Sequence, residues 1–447
     1  MRWLGNDKQV TSEPPLGRSH MAAASMQGPT LRILYPLRST PTALLWGGLS
    51  LSALGDQLYA VALSWIAVGV LGTGAGYLTA LRFLVVLLAV LGIGRWADSW
   101  QQRRSMIGAD LGRATVLLAV VAAWLGLGAP SAAWLVVAVI VLALGQAVFQ
   151  PALQVVLPGV VADAAMLPAA NGLLDATERS ARLLGPGLVG LLAGVVPTVH
   201  FLTIDAASFL ASAAALLWIG RLRPGIEPVQ ASTRETVWRG VLRGIRAMQS
   251  HPLLGYVLQS GGPINGAWHA VFLFALPLGI ARQGVQGPDG SGLGAYALVI
   301  SAYGCTNLIA TLLFGSCLLP RRPQFQMFLG SAIVGCGMVL MGLAFLLPEA
   351  GLLPGLAAGA AFAAVGGPMK DIPVAVLRQT RLRLADMAAA MRAYMAAVNA
   401  GALAGMLLAP GLIDAAGVIP VIIVCGGLIS GVALLGLLRF ANWTEPT

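Results

Sequence analysis

Asp56 stands near the middle of an apolar run, SALGDQLYAVALSW, where an ionisable group is expensive and marks a functional position by default. Its natural chemistry there is proton exchange, taking a proton from one side and releasing it toward the other. The competing reading is a carboxylate hydrogen-bonded to neighbouring backbone or hydroxyls at a helix bend. A second set, Asp98, Arg103, Arg104, Asp110 and Arg113, opposes acids and guanidiniums where two apolar runs meet. Asp110 and Arg113 share a helix face at i, i+3, so the set suits ion pairing, either as a switch or as a fixed network. A third set, Asp175, Glu178, Arg179 and Arg182, forms two i, i+4 pairs with the acid first and cancels its own charge. It reads as a self-neutralised helix end. Gly185, Pro186, Gly187 and Gly190 follow it and permit close helix approach and a kink.

Weaker candidates for lining a cavity are Gln146 and Gln150, on one face at i, i+4, and Asn265, Trp268 and His269. His269 belongs to the residue type that titrates near neutral pH, although buried His and Gln also serve as helix–helix hydrogen bonds. Arg82, Asp205, Lys370, Asp371 and Arg392 are gate or pairing residues without an assigned role; Lys370 and Asp371 either neutralise each other or pair across helices. Other chemistries lack their motifs. There is no G-x4-G-K-[ST] loop to hold a nucleotide, and no H-E-x-x-H, G-x-S-x-G or C-x-x-C pattern. No metal site or cofactor is expected, and no enzymatic activity.

The elements that must position these residues follow from composition. The chain has 447 residues, 57% hydrophobic and only 10% charged, with mean hydropathy +0.82. Soluble domains carry about 25% charged residues, so an ordinary cytosolic enzyme is excluded. A spanning helix needs about 20 apolar residues. Apolar runs lie at 43–70, 74–96, 105–127, 132–157, 168–196 and 199–220, then at 253–281, 293–318, 325–347, 351–377, 387–413 and 416–440. The expectation is an all-α integral membrane protein with twelve spans. Its parts are a disordered cytoplasmic tail (1–40), a six-helix bundle (41–220), a cytoplasmic linker (221–252), a second six-helix bundle (253–440) and a short cytoplasmic tail (441–447). Met21 and Met26 are alternative starts close to the first span.

Charge placement supports the count. The net charge of +10 comes from 27 Lys and Arg residues, of which only Lys8 and Lys370 are lysine. Arg103 and Arg104, Arg221 through Arg246, Arg321 and Arg322, and Arg378, Arg381 and Arg383 all fall in alternate connections. The other connections carry one cation, Arg282, beside Asp289. This asymmetry puts the arginines and both termini in the cytoplasm, in the cell (inner) membrane. A nucleic-acid surface would need one continuous basic face with aromatics, which is absent. Cys305, Cys317, Cys336 and Cys425 sit inside apolar runs without zinc-ligand spacing and read as small core residues. In the linker, Val237, Trp238, Val241, Leu242, Ile245 and Met248 alternate at helical spacing with Arg234, Arg239, Arg243 and Arg246. That pattern predicts an amphipathic helix on the anionic inner leaflet, with a protein-partner helix as the rival.

The halves echo each other. GRWADSWQQRR (Gly94 to Arg104) follows the second run and GSCLLPRR (Gly315 to Arg322) the eighth, with Leu319 where the first copy has Asp98. Internal duplication recurs in secondary transporters. With this loop, ADLGRA at 109–114, SALGDQLYAVALSW, LLGPGLVGLL and GVLRGIRAMQSHPLL, the chain resembles the major facilitator superfamily over residues 43–440. It is most similar to the branch of enterobactin-exporter-like and macrolide-efflux-like bacterial proteins. The resemblance implies two pseudo-symmetric six-helix bundles working by alternating access. It makes the first span a cavity-lining helix and makes Gly94, Asp98, Arg103, Arg104, Asp110 and Arg113 a conformational latch between the inner ends of the halves. It also makes the Gly185–Gly190 stretch similar to a fifth-span antiporter motif. Ser99 stands where the signature loop carries a basic residue, the fourth span lacks an arginine common in proton-coupled antiporters, and RQTRLRLADMAAA lacks the branch's Gly-Arg pair. The expected function is a monomeric, proton-coupled exporter of a small organic or amphipathic compound, such as a drug or siderophore. The alternatives are an importer or lysolipid flippase on the same fold, and a transport-inactive sensor or scaffold.

Overall fold

A computed structural model describes residues 35–92, 102–161, 166–222, 237–316 and 323–443. The described residues form helices and short connections, with no strand among them. Six long rods come first: α1 (Thr40–Leu71), α2 (Ala75–Gly92), α3 (Gln102–Leu127), α4 (Ala132–Val160), α5 (Leu167–Leu192) and α6 (Val199–Leu222). A short helix, α7 (Val237–Gln249), precedes the second set. That set comprises α8 (Pro252–His269), a π-helical segment (Ala270–Ala275) leading straight into α9 (Leu276–Gln283), and then α10 (Gly292–Ser316), α11 (Pro323–Ala344), α12 (Glu349–Arg381), α13 (Leu384–Ala416) and α14 (Val418–Phe440).

Counting α8 through α9 as one rod, the described residues contain twelve long rods, six on each side of α7. Ten segments meet a span's length and hydropathy outright. The difference has two sources. Thr40–Ala89 counts once although Gly72–Gly74 breaks it into α1 and α2. The other is α5, whose Asp175, Glu178, Arg179 and Arg182 make it too polar to qualify by composition.

Local sequence sets the ends. Pro41 and Pro252 occupy first turns, where a missing N–H costs nothing. Gly284 stops α9 in the left-handed region at φ 65°, and Gly417 separates α13 from α14 at φ 89°. The outer surface is apolar: Leu125, Leu312, Leu435 and Leu438 are each more than 60% exposed. An exposed apolar belt of this kind is stable in hydrocarbon and not in water.

Within the first set, α1 packs on α5 and α6, α3 on α4 and α6, and α2 on α4. Within the second, α11 packs on α12 and α14, α10 on α12, and α8 on α13 and α14. Glycines set the closest approaches. Gly262 and Gly266 of α8 face Gly401 and Gly405 of α13 backbone to backbone, and a Cβ on any of the four would crowd the partner chain. Small residues at this four-residue spacing let helices meet without a hydrophobic drive from water. The two sets join through α5 on α10, α2 on α13 and α1 on α9.

The amphipathic helix forms, but its apolar face is covered by protein. Val241 and Met248 are buried, Gly244 abuts the Ala389 carbonyl of α13, and Arg243 Nε lies 3.9 Å from Asp386 Oδ1. Trp238, 61% exposed, and the arginines face outward. Protein rather than lipid therefore takes most of the face that the sequence pattern assigns to the leaflet.

Candidate functional site

The chemistry-bearing side chains fall into two groups, one in each half. In the first half, α1 and α6 approach closely because α1 presents Gly48 and Gly55 at i, i+7. A Cβ on Gly48 would lie 3.2 Å from Ser212, and one on Gly55 would lie 2.6 Å from Asp205 Oδ1. Asp205, fully buried on α6, therefore rests against the α1 backbone one residue from Asp56. Ser208 Oγ donates to the Asp205 carbonyl at 2.7 Å and to Asp205 Oδ1 at 3.3 Å, while Asp205 Oδ2 has no hydrogen-bond partner.

Lower on the same face, Ser212 hydrogen-bonds Asp110 of α3, which is ion-paired with Arg113. Gly145 of α4 makes room for the Arg113 stem: a Cβ there would meet its Cγ at 2.7 Å. The guanidinium lies over Phe209 at 4.2 Å and over Phe149 at 5.0 Å. Cation–π contact and the carboxylate together replace the water that a buried guanidinium loses. Arg82 of α2 reaches Gln146 of α4 at 3.4 Å. Arg82, Arg113 and Glu178 all lie within Coulombic range of Asp56.

In the second half, a small pocket opens among α8, α11, α12, α13 and α14. Tyr256, Ser260 and Asn265 of α8, Lys370 and Asp371 of α12, and Tyr394 of α13 line it. Lys370 Nζ lies 3.2 Å from Asp371 Oδ1; the lysine side chain is mostly buried and the aspartate is 64% exposed. Beside the pocket Trp268 stacks on Phe272 at 4.9 Å, and Tyr303 closes on both rings. His269 Nδ1 is 2.7 Å from the Asn265 carbonyl, and its ring meets Phe83 of α2 edge-on at 5.0 Å, a contact between the halves. The π turn frees the Phe272 carbonyl, which accepts from the Tyr296 hydroxyl at 3.0 Å.

The model of the Major Facilitator Superfamily matches residues 45–372. This chain belongs to that superfamily. Among curated proteins it is 28% identical over 411 residues to the multidrug efflux pump Tap of Mycobacterium tuberculosis and of Mycobacterium bovis, covering 87% of this chain and 92% of theirs. Solved structures share the fold at low identity. A peptide transporter POT aligns with TM-score 0.67 at 13% identity over 90% of this chain and 94% of its own. The nucleoside transporter NupG aligns at 0.66 and 13% over 90% and 100%. An inward-facing bacterial homologue of the iron transporter ferroportin aligns at 0.65 and 14% over 89% and 98%.

Among the described residues the halves meet chiefly where α5 packs on α10 and α2 on α13. Cβ atoms at Gly187 and Gly190 would lie 3.8 Å from Ser301 and 3.6 Å from Ala297, and Gly76 abuts Pro410 and Phe274. Gly194 touches Asp289, and Gly292 packs on Trp65. Glu178 and Arg182 of α5 and Met391 and Arg392 of α13 are exposed.

Asp110 and Arg113 are thus joined, and Asp56 stands beside the same cluster. Gly94 and Asp98 lie outside the described residues. Arg103 packs over Gly220 of α6 and Arg104 is exposed. Gln146 and Gln150 part company: Gln146 meets Arg82, while Gln150 is exposed. Gly185 abuts Gln57 of α1, Pro186 is buried and Gly190 faces α10. Glu178 and Arg182 are half-exposed at 4.0 Å. Sequence reasoning left Asp205 and Lys370 without a role. Their signal was present, since each is an ionisable group inside an apolar run: Lys370 pairs with its neighbour Asp371, one of the two arrangements the sequence allowed, whereas the contact of Asp205 with Gly55 of α1 joins distant segments.

Proposed function

We propose that this protein is a proton-coupled exporter of small amphipathic compounds, working by alternating access between its two six-helix halves. The observation that carries the reading is Asp56: an acid on a central helix of the first half, within reach of two guanidiniums and beside a second, buried acid. A carboxyl in that setting changes its attraction for the arginines when it gains or loses a proton, and so ties proton movement to helix packing. Export rests on the full-length likeness to a pump named for multidrug efflux. The fold alone does not set direction or substrate, and peptide and nucleoside transporters share it.

Under this reading the arginine-rich loops and both termini face the cytoplasm across the cell membrane, and one chain suffices for transport. Asp98, with Gly94, Arg103, Arg104, Asp110 and Arg113, latches the cytoplasmic ends when that side closes. The contacts between the halves at Gly187, Gly190 and Gly194 support an arrangement open toward the cytoplasm. Gln146, Asn265, Trp268 and His269 border the substrate path.

Everted proteoliposomes with an acid lumen test the proposal, with ethidium as the amphipathic cation. The purified protein is expected to accumulate ethidium and to release lumenal protons as it does so, and Asp56→Asn is expected to abolish both. Unchanged proton-driven accumulation by that variant overturns the role given to Asp56. Accumulation that ignores the pH gradient in the unaltered protein overturns proton coupling.

A further inference from the structure

Asp205 is fully buried, as Asp110 is, and the scheme above gives it no step of its own. Its setting is unusual in three ways. It touches the α1 backbone at Gly55, beside Asp56, because glycine leaves the space. Its Oδ2 is without a hydrogen-bond partner. Four of the five buried side-chain polar atoms in that condition among the described residues belong to this one cluster: Tyr59 OH, Asp110 Oδ2, Arg113 Nε and Asp205 Oδ2. Orphaned polar atoms are rare in packed interiors and call for a cause.

The charges supply one. From α1, Asp56 and Tyr59 act electrostatically on Asp205; from α3, Asp110 and Arg113 do; its own helix adds the Ser208 hydrogen bond. Arg82 of α2 and Glu178 of α5 also act on Asp56, and Glu178 has Arg182 as its own partner. Three carboxylates therefore share two guanidiniums. The cluster is neutral when one proton is held among the three carboxyls, and uncompensated charge in a membrane interior is costly.

We propose that Asp205 is a second proton-carrying residue, which exchanges the coupling proton with Asp56 across the Gly55 contact and thereby controls the hold of Arg113 on Asp110. In the exchange the Asp56 O–H bond breaks as an O–H bond forms on Asp205 Oδ2. Asp56 is left anionic toward Arg82, Asp205 becomes neutral, and no electrons change hands. With the proton on Asp56, anionic Asp205 competes with Asp110 for Arg113. With the proton on Asp205, that competition ends and Arg113 stays with Asp110. Ser208 and Ser212 continue one polar face of α6 from Asp205 to Asp110 at i, i+3 and i, i+7. The site of the proton is thus read at the end of α3 where the proposed latch begins. The inference rests on the proton-coupled reading of Asp56.

The test uses the proton itself as ligand. Infrared difference spectra of the full-length protein in nanodiscs are recorded between acid and alkaline pH, following the C=O stretch of buried protonated carboxyls and its shift in D2O. Asp56→Asn and Asp205→Asn are each expected to remove one carboxyl signal and to displace the titration of the one remaining. Asp205→Glu is expected to keep two signals at altered frequency, and unchanged thermal unfolding certifies that each variant is folded. If Asp56→Asn removes a signal and folded Asp205→Asn leaves the spectrum unaltered, Asp205 does not carry a proton and the proposal falls while the reading of Asp56 stands. If neither substitution alters the spectrum, both fall. If Asp205→Asn does not fold, loss of Glu-specific change in Asp205→Glu decides against the proposal in the same way.

Discussion

Arg113 shows how much a single buried charge asks of its surroundings. It needs Asp110 as counter-ion, two aromatic faces, and the absence of a side chain at Gly145. Gly145→Ala would set a Cβ 2.7 Å from Arg113 Cγ and 2.8 Å from its Cδ, so either the guanidinium leaves the aromatic pair or α3 and α4 separate. Overpacking of this sort costs about 1–3 kcal/mol, and a lowered midpoint of thermal unfolding is the expected result. Only part of this was legible in the sequence. The i, i+3 spacing of Asp110 and Arg113 is local, and predicts their pairing. The aromatic and glycine partners come from α4 and α6, and no local pattern connects them to α3.

At the scale of elements, glycine decides which helices touch. The facing pairs Gly262 and Gly266 on α8 and Gly401 and Gly405 on α13 bring two backbones together, so Gly401→Ala would drive a methyl into the α8 chain at Gly262. Stability is expected to fall by about 1–3 kcal/mol, and Gly266→Ala added to it should cost less than the sum, because the helices have already separated. Unfolding followed in detergent by fluorescence-detected size-exclusion measures both. The short helix α7 offers a contrasting case. Its ion pair with Asp386 is partly exposed and long, worth about 0–1 kcal/mol, so its docking depends on Gly244 lying flat against the Ala389 carbonyl. Gly244→Ala is expected to loosen α7 from α13 and to raise amide hydrogen exchange across 237–249, with the exchange of α8 little changed. The hydrophobic period of this segment predicted the helix correctly. It could not say whether lipid or protein would cover the apolar face, since both reward the same burial.

For the whole molecule, the close contact of α5 with α10 makes a mechanical claim. The Cβ of a residue replacing Gly190 would lie 3.6 Å from that of Ala297, within the span of a disulfide, about 3.5–4.5 Å between Cβ atoms. In a background with the native cysteines replaced by serine, the pair Gly190→Cys and Ala297→Cys is expected to cross-link on mild oxidation. The cross-link should stop ethidium transport, and a reductant should restore it. Transport by the fully cross-linked protein would show that this contact need not open.

Hydropathy along the chain was enough for the membrane class and the twelve rods, because insertion depends on hydropathy summed over about 20 neighbouring residues, which is a local quantity. Predicted runs such as 105–127 and 199–220 differ from α3 and α6 only by a turn or less at their ends. It also marked the acids and bases in apolar runs as costly. Only the tertiary structure decided which of them meet. Gly55, beside Asp56, meets Asp205 of α6, and Arg82 of α2 meets Gln146 of α4, because of how each helix is rotated and how near its glycines let a neighbour come. Those are properties of pairs of distant segments, and additive local hydropathy carries no record of them.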